Sequence, residues 1–225
     1  MREAVQTPAL PAGKIKATRD DWLDQALSVL ANEGVESVTI LNLSERLDVS
    51  RSSFYWYFKD RDALLDALLA RWEHFNTRSI VIQAEAPAAS INEAVCNVFR
   101  CWVNPGIFDP RLDFAIREWA RRSRKVRVAL DRSDTERTAA IKAMFERFGY
   151  AGPDALVRAR VLYYMQIGYF ALDIREPMEA RLNLAPHYLE AITGLPPSEA
   201  DLASFLAYAA RHSSRLDLIP ASLVP

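Results

Sequence analysis

From Thr18 to His212 apolar residues return at intervals of three and four, and no stretch alternates at the period of two that a half-buried strand requires. That periodicity restricts the chain to an all-α fold. Leu23, Leu27 and Leu30 fall at i, i+4 and i+7 with Trp22 and Ala26 beside them, and Gly34 stops this first helix. Thr39 caps a short second helix whose Ile40, Leu43 and Leu47 share a face, Asp48 closes it, and Ser50 caps a third. A long fourth helix begins at Asp60 (DRDALLDALLARWEHFNTRSIVIQ), with Leu64, Leu65, Leu68, Leu69 and Trp72 facing inward. Ser90 opens a fifth, ended by Asn104-Pro105-Gly106 because proline disfavours helix in its predecessor. Two more are predicted from Asp109 to Arg122 and from Lys125 to Phe148, and another from Pro153 to about Ile174. The segment from Pro177 to Ile192 is expected to break at Pro186, and Ser198 with Asp201 forms the capping box of a last helix.

Only seven of the 225 residues are glycine and half are hydrophobic, which gives a helical chain enough apolar surface for a real core. The first seventeen residues lack the apolar centre of a signal peptide, and no run of about 18 uncharged apolar residues occurs, so the expectation is a cytoplasmic protein without a membrane partner. Cys96 and Cys101 lie roughly 140° apart on one helix and read as core residues, and His74, His187 and His212 are scattered without ligand spacing. No metal site, cofactor loop or nucleophile with a nearby base emerges; the expectation is not an enzyme.

The stretch Val161 to Leu172 (VLYYMQIGYFAL) has Gln166 as its single clearly polar side chain. A helix apolar on every face needs cover all round. Either a monomer wraps it centrally, or one face meets the core and the other a second subunit; the second reading is adopted, with Gly168 admitting a partner helix.

In SRSSFYWYFKDRDALL, Ser50 to Leu65, five consecutive aromatics follow a serine-rich lead. Three short helices in this order have the proportions of a helix-turn-helix behind a supporting helix, in which the third helix enters the major groove. Phe54 and Phe58 lie four apart and, with Leu43, Leu47 and Val49, lock the unit together. Arg51, Ser52, Ser53, Tyr55 and Trp56 are left outward. Guanidinium groups bond guanine O6 and N7 together, hydroxyls reach phosphates or bases, and aromatic rings contact thymine methyls or sugars.

These residues carry a resemblance. From about Thr18 to Leu69, and most specifically over LDVSRSSFYWYFKDRDALLDALL, the chain resembles the DNA-binding domain of the tetracycline-repressor (TetR) family. The resemblance implies a homodimeric, ligand-responsive transcriptional regulator, most simply a repressor, that binds a palindromic double-stranded DNA operator. The Ala- and Pro-rich opening, residues 1–17, reads as a flexible arm; the resemblance implies a DNA-binding domain over 18–65 and a helical ligand-binding and dimerisation domain over 66–212, followed by a tail over 213–225. By it, Arg51, Ser52, Ser53 and Tyr55 face the groove, Ser50, Trp56, Tyr57 and Lys59 hold or approach the backbone, and Thr39 caps the second helix towards a phosphate. Two positions depart from the family pattern: Asp48 stands in the turn where glycine is common, and Ser52 replaces a frequent glycine or proline.

Bulk charge does not announce DNA binding, because nine basic side chains face twelve acidic ones up to Phe75. Placement is expected to compensate, with Lys14, Lys16, Arg19, Arg51, Lys59 and Arg61 gathering on the DNA side and Glu36, Asp66 and Glu73 elsewhere. RRSRKVR, Arg121 to Arg127, reads as a solvated helix junction. For an unknown small-molecule effector the candidate lining residues are Phe99, Trp102, Trp119, Tyr163, Gln166 and Tyr169, with Gln166 and Asp113 as polar anchors. The alternative left open is a helical interaction or ligand-binding module whose helix-turn-helix no longer binds DNA.

Overall fold

The computed structural model describes residues 17–212, so the expected arm to Lys16 and the tail from residue 213 lie outside the described residues. Within them the chain forms α1 (Arg19–Glu33), α2 (Ile40–Arg46), α3 (Arg51–Phe54), α4 (Arg61–Trp72), α5 (Arg78–Glu85), α6 (Ile91–Val103), α7 (Pro110–Ala120), α8 (Arg124–Arg147), α9 (Gly152–Ala171), α10 (Met178–Thr193) and α11 (Glu199–His212), with no strand among the described residues. Side-chain caps start most of them. Thr39, Asp60, Ser90, Asp109 and Ser123 each accept a backbone N–H from the first turn that follows, satisfying donors that a helix cannot pair itself. The expected capping box is present, with Ser198 N–H on Asp201 at 2.7 Å and Asp201 N–H on Ser198 Oγ at 3.2 Å.

Helix ends share a second device. After α2, Asp48 N–H bonds the Glu45 carbonyl and Val49 N–H reaches back to Ser44, the pairing of a Schellman motif, with Asp48 in the left-handed region at φ 50°. The same pattern closes α9 through Asp173 at φ 48° and α8 through Gly149 at φ 87°, where Tyr150 packs edge-on against Phe145 at 5.4 Å. Only glycine occupies that region without cost, so Asp48 and Asp173 are strained choices, eased because a short polar side chain tolerates it better than most.

Two sequence expectations are corrected. The fourth helix is interrupted by a π-turn at Glu73–Thr77 between α4 and α5. This wide turn brings Asn76 and Thr77 to the buried side, where both find polar partners. In α10, Pro186 does not break the helix: buried Met178, Ala185, Leu189 and Ile192 pin both halves to the core, and this outweighs the missing N–H.

Apolar side chains divide into two clusters. The first joins α1–α4 with α7 and the start of α8, around Trp22, Leu43, Phe54, Leu64, Leu68, Trp72 and Ile116. The second joins α5, α6, the end of α8 and α9–α11, around Ile80, Val98, Phe145, Leu162, Leu189 and Phe205. Cys96 and Cys101 are buried free thiols in the second cluster, each pushed up to about 12 first of all by burial.

A buried polar network stands between the clusters. Arg137, fully buried, donates from Nη1 to Asp113 Oδ1 at 2.8 Å and to the Tyr163 hydroxyl at 2.9 Å, and from Nε to Thr77 Oγ1 at 3.1 Å. Its guanidinium lies over the Trp72 ring at 5.0 Å, a cation–π contact with little competing water. Trp72 Nε1–H donates to Asp113 at 2.9 Å, and Arg117 bonds Asp113, Asp134 and Tyr163. Burial pushes the Asp113 pKa up, but Arg137, then Arg117, and the Trp72 hydrogen bond outweigh it and hold the carboxyl below its ordinary value.

Two outcomes follow from these local geometries. Asp48→Val costs about 1–2 kcal/mol in urea unfolding because a β-branched residue resists the left-handed region, whereas Asp48→Gly is at least as stable as the parent. A carboxyl whose pKa is lowered on folding stabilises the protein above its unfolded pKa of about 4, and that contribution is lost as pH falls through the folded value. Urea midpoints taken from about pH 6 down to about pH 2 therefore fall with acid, and Asp113→Asn flattens part of that slope while costing about 3–5 kcal/mol near neutrality, because Arg137 loses its buried partner.

Candidate functional site

The surface of interest is built on α3, and an aromatic anchor orients it. Phe54 is fully buried, its ring edge-on to Trp22 of α1 at 5.2 Å, and Phe58 lies 5.4 Å from it, inward as well. The helix proper is only four residues long, Arg51–Phe54, and continues as a turn through Tyr57, with Phe58 N–H closing back on the Phe54 carbonyl at 3.0 Å. Turning these two phenylalanines in turns their neighbours out. Arg51, Ser52, Tyr55, Trp56, Tyr57 and Lys59 are exposed, Tyr55 by 59% and Trp56 by 66%, while Ser53 is half-buried.

Ser50 occupies the N-cap position of α3 but makes no capping bond; its hydroxyl pairs with that of Ser52 at 2.8 Å, and Ser53 Oγ donates to the Ser50 carbonyl at 2.8 Å. The three hydroxyls are thus arranged along the exposed start of the helix. Thr39 is half-buried and caps α2 through the Asn42 N–H at 3.2 Å. Leu43 is buried beneath α3, with Leu47 and Val49 partly buried against the same core.

The charge map differs from expectation at one residue. Arg61 does not join an outward cluster: its Nε and Nη2 donate to the carbonyls of Val38 at 2.6 Å and Val35 at 2.5 Å, clamping the turn between α1 and α2. Arg19 lies over the Phe58 ring at 5.2 Å. Lys14 and Lys16 lie outside the described residues. Glu36, Asp66 and Glu73 are engaged by Arg122, Lys125 and Arg132 respectively, the first two by solvent-exposed cations of RRSRKVR, where such pairs contribute little.

The candidate effector residues separate into two groups. Phe99, Trp102, Gln166 and Tyr169 line one cavity of about 60 Å³ between α6, α9, α10 and α11. Trp119 packs instead against the first cluster, and the Tyr163 hydroxyl is taken up by Arg117, Arg137 and Asp134. Asp113, expected as a second polar anchor, is committed to the buried network and does not line the cavity. Met165, Met178 and Arg181 belong to the wall and went unread in the sequence, since residues from four helices meet there.

Among the described residues no helix is long and apolar enough to cross a membrane, and no group of three metal-ligating side chains converges.

Residues 23–68 match the family model described as bacterial regulatory proteins, tetR family. Over 53 residues the chain is 43% identical to the tetracycline repressor protein class C of Escherichia coli, a match covering 24% of this chain and 24% of that one. The chain thus spans about a quarter of the length of the tetracycline repressors it matches. Across nearly the whole chain the fold is similar to the crystal structure of Mycobacterium smegmatis AmtR, with TM-score 0.59 and 18% identity over 95% of this chain and 100% of that one. The reduced form of E. coli NemR is similar as well, with TM-score 0.60 and 17% identity over 81% of this chain and 98% of that one. The helix-turn-helix assembled by α1–α3 lies largely within the segment that matches the tetR family model, and the larger all-helical body that continues it shares the fold of AmtR and NemR.

Proposed function

We propose that this protein is a homodimeric, ligand-responsive repressor that sets α3 of each subunit into successive major grooves of a near-palindromic operator. The observation that carries the proposal is the outward presentation of Arg51, Ser52 and Tyr55, with Ser53 half-buried beside them, around a Phe54 fixed against Trp22. In this reading those four residues meet base edges, Ser50, Trp56, Tyr57 and Lys59 meet the sugar-phosphate backbone, and Thr39 brings the start of α2 to a phosphate. Two reading helices on a two-fold axis require an operator of matching symmetry, with half-sites about 34 Å apart.

Dimerisation is supported by an apolar stripe on the pair α9 and α10. Val157, Val161 and Tyr164 are exposed at helical spacing on α9, and Leu184, Tyr188 and Leu195 continue the apolar surface on and just beyond α10. A Cβ at Gly168 would meet nothing within 4 Å, so that part of α9 is open for a second helix to approach. The effector site of this reading is the cavity lined by Phe99, Trp102, Gln166 and Tyr169, whose occupancy favours one separation of the reading helices over another.

Selection of bound fragments from random genomic DNA yields a recurrent inverted repeat, with affinity that falls steeply as salt rises. Its absence at moderate salt would favour a module that has lost DNA binding. On the selected operator, Arg51→Ala costs about 1–3 kcal/mol of discrimination between specific and random DNA. Equal weakening on both would assign Arg51 to the backbone. Tyr164→Glu sediments as a monomer, whereas a variant that sediments like the parent removes α9 from the interface.

A further inference from the structure

Two polar side chains on the cavity between α6, α9, α10 and α11 keep bonding capacity that the protein leaves unused. Gln166, 4% exposed, makes no side-chain hydrogen bond among the described residues; its Nε2 is sealed off, and its Oε1 is the atom that a group entering the cavity can reach. A polar group buried without a partner is uncommon, because its lost hydration is not replaced. Arg181, half-buried on α10, forms no ion pair among the described residues. Its guanidinium lies over the Tyr169 ring at 4.5 Å, a cation–π contact that offers no oxygen acceptor to its N–H donors. The other charge on the wall, Glu176, is exposed and already accepts from the Tyr169 hydroxyl, so water screens it more than it screens Arg181. The rest of the wall is apolar, with Phe99 and Trp102 5.5 Å apart and Phe205 at 5.8 Å from Phe99.

From this arrangement we infer that the effector is an aromatic carboxylic acid carrying a hydrogen-bond donor at the end remote from its carboxylate. The carboxylate meets Arg181, the donor meets Gln166 Oε1, and the ring lies among Phe99, Trp102 and Phe205. The inference rests on the effector-responsive reading above and specifies its chemistry. A guanidinium presents N–H groups in a planar fork that matches the two oxygens of a carboxylate. A hydrocarbon leaves both polar side chains unanswered, and an ammonium meets Arg181 as a like charge. The closed cavity, about 60 Å³, is far below the roughly 300 Å³ at which ligand pockets begin, so entry must move part of the wall. Tyr169 is held by both Glu176 and Arg181, so a carboxylate drawn to Arg181 competes with that contact, and the segment joining α9 to α10 is the part that yields.

The test is calorimetry on the full chain at about pH 7, where carboxylate, phenol and ammonium hold their ordinary protonation states. Four single-ring probes are compared: 3-(4-hydroxyphenyl)propanoate, 3-phenylpropanoate, 4-ethylphenol and tyramine. The first binds most tightly. Loss of its hydroxyl weakens binding about fivefold, the worth of one neutral hydrogen bond, and loss of its carboxylate about tenfold or more, the worth of a charged one; tyramine binds most weakly. Arg181→Gln brings 3-(4-hydroxyphenyl)propanoate and 4-ethylphenol level but keeps the hydroxyl preference between the two acids. Gln166→Leu levels the two acids but keeps the preference for a carboxylate. Thermal melting checks the fold of each variant, and a general loss of packing does not produce this crossed pattern. Equal binding of the hydroxylated acid and 4-ethylphenol by the parent, tightest binding by tyramine, absence of binding by all four, or either preference surviving its own substitution overturns the inference. None of these measurements contains DNA, so operator affinity of the same preparations judges the regulator reading separately.

Discussion

The contact on which the two halves of this protein depend is the buried pair of Arg137 and Asp113. Four helices and the π-turn converge on it: Trp72 from α4, Asn76 and Thr77 from the turn, Asp113 and Arg117 from α7, Arg137 and Asp134 from α8, and Tyr163 from α9. Charges so far from water persist only if their hydrogen-bonding capacity is met, and nearly all of it is, Arg137 Nη2 being the exception. Such a cluster adds less to net stability than an apolar plug of equal volume could. What it supplies is position, because each bond fixes the angle of one helix against another.

From this junction the molecule extends in both directions by direct contact. Towards the first cluster, Trp72 ends α4, whose Leu64, Leu65 and Leu68 pack with Phe54 and Trp22 beneath the exposed residues of α3. Towards the second, Tyr163 sits one turn of α9 before Gln166, so the network and the cavity share a helix face. Continuous packing of this kind is the physical medium in which two distant sites can feel one equilibrium.

Much of this was legible in the sequence wherever the determinant is local. Thr39, Asp60, Ser90 and the Ser198–Asp201 box act within one helical turn, and the Phe54–Phe58 spacing dictates which side chains of α3 face out. The left-handed Asp48 was foreseeable from its place in the turn. Non-local chemistry was not legible. Asp113 resembles a pocket anchor until Arg137, 24 residues on, and Trp72, 41 residues back, claim it. Arg61 looks like a free cation until the carbonyls of Val35 and Val38 are seen beside it, and Pro186 looks like a break until flanking core residues hold α10 straight. The cavity gathers Phe99, Trp102, Gln166 and Tyr169 but leaves out Trp119, a separation that aromatic content alone could not make.

The π-turn at Glu73–Thr77 has a geometric corollary. A π-turn is commonly equivalent to one extra residue inserted in an α-helix. Five residues there take up about the turn and rise that four take in a regular α-helix, so the wide turn absorbs the surplus residue and keeps α4 and α5 in phase, with Trp72 pointing at Asp113. A change of length within the regular turns of α4 or α5 has no such outlet: it screws one flank against the other by about 100° and shifts it by about 1.5 Å. The π-turn is therefore the place where this helical rod accommodates a surplus residue without losing register between headpiece and body.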